Sequence, residues 1–144
     1  MTTSSAERHL PPVSTSNPTT ATRIALWAST GLFSLMFTLS GLLFLAGPAE
    51  VVASFRHLGY PDCFRHLLGI AKLLGVAALL VPPPSPVLRE WAYAGFAFTC
   101  IAAAASHLMS GDGPVKVVGP VLAMGLLLTS YVLRRRVARG PVAA

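Results

Sequence analysis

Charge is scarce in this sequence. Asp, Glu, Lys and Arg together make up 11% of its 144 residues, against about 25% in an ordinary soluble domain. That shortage excludes a conventional water-soluble catalytic module. Cysteine is almost absent: Cys63 and Cys100 are the only two, and no Cys-x-x-Cys exists. The main sequence signature of a membrane thiol oxidoreductase is therefore missing. The two thiols fall at different depths of their apolar stretches, so no disulfide is expected. Cys100 reads first as a small buried apolar residue. Histidine offers no metal pattern either, since His57 and His66 lie nine apart and no His-x3-His pair occurs, so no metal is expected.

Apolar residues make up the deficit, at 53% of the chain. They gather in four stretches, roughly residues 24–46, 64–81, 91–109 and 117–133. A helix of about 20 mostly apolar residues crosses a ~30 Å hydrocarbon core, so each stretch is near membrane length. The expectation is all-α, a four-transmembrane-helix bundle with a short amphipathic interfacial helix between spans 1 and 2. Residues 1–22 are rich in Ser, Thr and Pro and read as a disordered cytoplasmic tail. The first apolar run has full span length and reads as a retained helix rather than a cleaved signal. Residues 23–135 then form the transmembrane domain, and residues 136–144 a short basic tail.

The net charge of +6 does not point to nucleic acid. Arg134, Arg135, Arg136 and Arg139 directly follow the last span, the usual place of a cytoplasmic anchor. Outside the spans, one side collects Arg8, Arg23, Arg89 and those four arginines, while the other holds Arg56, Arg65 and Lys116. This seven-to-three split predicts a multi-pass cell-membrane protein with both termini in the cytoplasm.

Small residues recur at helical spacing: Gly31, Ser34, Thr38 and Gly41 in the first span, Gly69, Gly75 and Ala78 on a strip of the second shared with Lys72, and Ala92, Gly95, Thr99, Ala103 and Ser106 in the third. Such faces let helices approach closely in lipid, and packing is an adequate reason for them. Between these spans, Gly47-Pro48 ends one helix and permits another. Val51, Val52, Phe55 and Leu58 then share one side, which predicts the interfacial helix. Gly59 and Pro61 close it.

Lys72, near the middle of the second span, is the exception to an apolar interior. A cation at that depth costs at least ~2.5–3.5 kcal/mol on insertion scales. No acidic residue occurs inside any span, so its expected partners are Thr38 and Ser40, Thr99 and Cys100, or, less favourably placed, Thr129 and Ser130. Desolvation would suit Lys72 to general-base or Schiff-base chemistry, and an interhelical hydrogen-bonding role competes with both. His107, at the outer end of the third span, joins Asp112, Arg56, His57, Asp62, Arg65 and His66 as a potential polar cluster. Such a cluster could bind an anionic or quinone-like headgroup or shuttle protons. Interfacial histidines that simply tolerate water and lipid are the competing reading. Lys72, His107, Asp112, Thr99 and Cys100 are thus the candidates for ligand binding or proton handling.

Several segments carry a family resemblance. Ser40-Gly41, His57-Leu58-Gly59-Tyr60-Pro61, the segment from Gly69 to Gly75 around Lys72, the segment from Arg89 to Phe96, and Ser106-His107 resemble the DoxX-like family of small four-helix membrane proteins. The resemblance covers about residues 24–135. It implies the four-helix fold, and through some relatives a link to quinone-dependent sulfur oxidation and membrane oxidoreductase complexes. It supplies no catalytic set to transfer. Two functional readings result. One is a subunit or accessory protein of a quinone-linked redox system, with quinone as cofactor. The other is a non-enzymatic small transporter, channel or membrane scaffold. The expected partners are the lipid bilayer and either copies of the chain or redox-complex subunits.

Overall fold

Thr19 opens the first helix, its hydroxyl accepting a hydrogen bond from the Thr22 amide at 3.3 Å. The computed structural model describes residues 19–81 and 85–139. In chain order these form α1 (Thr20–Ala46), α2 (Ala49–His57), α3 (Asp62–Leu80), α4 (Pro86–Met109) and α5 (Pro114–Ala138). All but α2 are long and apolar enough to cross a membrane. Most of the expected N-terminal tail and the end of the basic tail lie outside the described residues. Two margins need correcting. Residues 20–22 are helical because Thr19 supplies the cap, and 136–138 continue α5 because arginine is a good helix former.

Helices α4 and α5 also start earlier than their apolar stretches. Pro86 and Pro114 sit in their first turns, where a missing N–H costs nothing. Ser85 caps α4 by accepting from the Val87 amide at 3.2 Å. At the other end of α1, Gly47 takes φ +64°, and Pro48 follows it into α2.

The four long helices form a ring in chain order. α1 lies against α3 and α5, α4 against α5, and α4 meets α3 more sparsely. The chain therefore runs up and down, with Thr20 and Ala138 at the same end. The core joins Phe33, Phe37, Val76, Leu79, Tyr93, Phe96, Cys100, Ala123 and Leu127. Phe96 stands edge-on to Phe33 and Phe37, with centroids 5.0 and 4.8 Å away, a geometry aromatic quadrupoles favour. Large apolar side chains such as Leu35, Leu42, Leu67, Leu74, Phe98 and Leu122 face outward, as helices in lipid require.

Two glycine contacts set the spacing of this ring. α1 and α3 meet backbone to backbone: a Cβ on Gly41 would lie 3.2 Å from the Gly69 carbonyl oxygen, and one on Gly69 3.1 Å from that of Gly41. Gly75 instead receives the Phe96 ring, which a Cβ would meet at 2.7 Å. The expected small-residue face holds at Gly41, whereas Gly31 and Gly95 have nothing within 4 Å of an added Cβ. Those two glycines do not serve close packing.

Candidate ligand cavity

Lys72 is the eleventh of nineteen residues in α3, so about 12–15 Å of helix separates it from either end. It is buried, and its ammonium donates to Ser40 Oγ at 2.8 Å. The glycine crossing makes this bond: Ser40 precedes Gly41, and Lys72 lies one turn beyond Gly69. The same ammonium sits over the Phe44 ring at 3.7 Å from the centroid and 5.3 Å from that of Phe37. A desolvated cation–π contact contributes about 2 kcal/mol, and a charged hydrogen bond about 1.5–3 kcal/mol. Together they offset an insertion cost of the size given above. Among the described residues no carboxylate reaches Lys72.

Of the other expected hydroxyl partners, Thr99, Thr129 and Ser130 are engaged elsewhere. Thr99 donates to the Gly95 carbonyl and Thr129 to that of Gly125, each at 2.8 Å. Ser130 belongs to a network near the chain termini, bonded to Thr30 at 2.6 Å and Tyr93 at 2.9 Å. Cys100 is buried in the core.

Lys72 and Thr99 together border three cavities. The largest, about 480 Å³, is walled by α1, α3 and α4 and covered by α2. Its apolar lining includes Phe44, Phe55, Phe64, Leu68 and Phe98, and its polar groups are Lys72, Ser54, Tyr60, Thr99, Ser106 and His107. This volume and mixture are typical of sites for small organic ligands. Phe98 is 72% exposed, so that wall reaches the outer surface of the bundle. A second space of about 180 Å³ continues between α3 and α4, past Ala71, Gly75, Ala92 and Gly95. A third, about 210 Å³, lies towards α5 and adds Ser40, Cys100 and Pro120.

At the α2 end, Asp112 ties three elements together. His57 Nε2 on α2 is 3.0 Å from one carboxylate oxygen, and His107 Nδ1 on α4 is 2.7 Å from the other. The His107 hydrogen bond, followed by that from His57, holds the Asp112 carboxyl below the usual carboxylate range, against the opposing effect of burial. Because an ionised carboxylate only accepts, the protons sit on Nε2 of His57 and Nδ1 of His107. His107 keeps its second ring nitrogen and lines the cavity, while Asp112 does not. Tyr60 adds another tie, its hydroxyl 2.6 Å from Ser106 Oγ, which itself donates to the Ala102 carbonyl.

Of the remaining members of the expected polar cluster, Arg56 is exposed on α2, while Asp62, Arg65 and His66 form a separate group. Arg65 is buried, binds Asp62 at 2.8 Å and donates to the Phe44 carbonyl, closing the end of α1. His66 accompanies it, with Nδ1 3.7 Å from Asp62. This group fastens α1 to α3 and does not line the large cavity. Sequence reasoning missed Phe44, Tyr60 and Ser54 as site residues. The aromatic residues at the end of the first span and in the following loop were the available signal.

The fold and cavity define a four-span α-helical membrane protein with a mostly apolar internal site. A family model described as the DoxX-like family matches residues 20–130, and the chain belongs to that family. No curated protein and no solved structure matches it.

Proposed function

We propose that this protein is a membrane subunit or accessory protein of a quinone-linked redox system and that its large cavity seats a quinone headgroup. The observation carrying this reading is Lys72, a cation at mid-span on the wall of a lipid-facing cavity of about 480 Å³. A quinone carbonyl accepts but cannot donate, and Lys72 has donors beyond the one given to Ser40. The aromatic lining suits the flat ring. His107, at the α2 end, is a second polar contact able to exchange protons. Redox-complex subunits or further copies of the chain would pack on the exposed apolar belt.

Purified protein in nanodiscs should bind a ubiquinone or menaquinone analogue saturably. Lys72→Met should weaken binding about 10–100-fold, the loss expected for a charged hydrogen bond. His107→Ala should weaken it less. Absence of any binding sinks the proposal, and binding indifferent to both changes removes these residues from it.

The arginine distribution supports both termini in the cytoplasm of a cell-membrane protein. In a Cys63→Ser background, a cysteine introduced as Arg139→Cys should then resist impermeant thiol reagents in intact cells and react after lysis. Labelling in intact cells reverses the orientation.

A further inference from the structure

The end of the bundle carrying the termini holds a second group of polar residues, remote from the cavity. Arg89 lies in the first turns of α4 and Arg134 in the last turns of α5. Tyr93, one turn beyond Arg89, accepts from Arg134 Nε at 3.2 Å. Arg89 is within electrostatic range of both Arg134 and Tyr93. The Tyr93 hydroxyl is also hydrogen-bonded to Ser130 Oγ, which is bonded in turn to Thr30, so this chain of hydroxyls is already occupied.

Two guanidinium donors remain unfilled. Arg89 Nε and Arg134 Nη2 are both shielded from solvent, and neither has a hydrogen-bond acceptor among the described residues. Among the described residues no anion serves them. Glu90 is the only carboxylate among the described residues at this end, and it is engaged by the Tyr131 hydroxyl at 3.0 Å and Arg135 at 3.8 Å. Two like charges with dry, unused donors therefore flank one tyrosine where two helices leave the membrane. Both side chains are partly exposed, so an arriving anion can engage them through a change of rotamer.

We infer that Arg89 and Arg134 form a phosphate-oxyanion site at the headgroup level between α4 and α5. A phosphate group offers several charged acceptors in the geometry that paired guanidinium forks match. Either an anionic phospholipid headgroup or soluble phosphate presents this chemistry. The level of the site favours the lipid.

The test measures binding of short-chain phosphatidylglycerol to the full chain in a neutral detergent, with native mass spectrometry counting retained lipid. The paired substitution Arg89→Gln with Arg134→Gln should raise the apparent Kd at least ~10-fold. Arg136→Gln with Arg139→Gln removes the same charge from the same end and should change it about 2-fold or less. Arg89→Lys with Arg134→Lys keeps the charge without the fork and should still lose several-fold, which covers the case where the glutamine pair fails to fold. A parallel arm titrates inorganic phosphate and phosphatidylcholine. Saturation by phosphate alone, lost in the Arg89/Arg134 variants, supports the site and assigns it to soluble phosphate. Equal losses in both glutamine pairs reduce the site to generic basic attraction and overturn the inference. Undiminished phosphatidylglycerol binding in the Arg89/Arg134 variants overturns it as well.

Discussion

Lys72 stays in the membrane interior because three side chains share its solvation: Ser40 through a hydrogen bond, Phe44 and Phe37 through their ring faces. Removing Ser40 leaves a buried charged donor with one fewer acceptor. Ser40→Ala should therefore lower stability by about 1.5–3 kcal/mol, read as a fall in the thermal midpoint. Ser40→Thr, which keeps the hydroxyl, should restore most of it. A midpoint unchanged in Ser40→Ala would show that the two rings suffice. The sequence exposed Lys72 immediately, since a cation inside an apolar run needs no structure to be noticed. Its partner was harder to read. Thr38, Ser40 and Thr99 all lie at similar depth, and only the rotation and crossing of α1 against α3 select Ser40. Phe44 escaped attention because an aromatic residue in a span looks like any other apolar filler.

At the scale of elements, the close crossing at Gly41 and Gly69 and the looser seam at Gly95 predict opposite responses to the same substitution. Gly41→Leu should cost about 1–3 kcal/mol through overpacking, and should also separate Ser40 from Lys72. Gly95→Leu meets open space and should leave the thermal midpoint nearly unchanged, while hindering occupants of the α3–α4 space. Equal destabilisation by both would contradict the asymmetric ring. The small-residue pattern could not distinguish these glycines, because spacing shows which residues share a face and not which face finds a neighbour.

The tie between α2 and the bundle has its own pH signature. Folding depresses the Asp112 carboxyl below its ordinary value, so its contribution is fully present above the unfolded pKa of ~3.9. It disappears as pH falls through the lower folded value. Between pH 6 and pH 3 the wild type should lose more thermal stability than Asp112→Asn. Parallel losses would show that the two histidine contacts contribute little. The interfacial helix was legible in the sequence from Gly47-Pro48, the apolar spacing and Gly59. The three-way junction was legible only as a list of polar residues, since the α4–α5 turn decides that Asp112 meets His57 and His107 while Asp62 joins Arg65.

For the whole molecule, the two ends of the bundle have different electrostatic characters. Among the described residues, the α2 end gathers Glu50, Asp62 and Asp112 with histidines and few arginines, and the terminal end concentrates arginine around one engaged glutamate. The class of protein was readable from apolar run length alone, because backbone hydrogen bonding in lipid leaves few alternatives to helices. The cavity was not, because it follows from α4 leaning only sparsely on α3, with the Phe96 ring seated on Gly75 and space left above.

That lean has a consequence for any measurement of affinity. A cavity whose wall reaches the membrane-facing surface is filled from the bilayer, so acyl chains and not water are the occupants a ligand must displace. Its apparent binding constant is then a ratio between two oily competitors and should scale with mole fraction in the membrane. The same protein would look strong in a sparse detergent micelle and weak in a lipid-rich disc, with no change in a single contact.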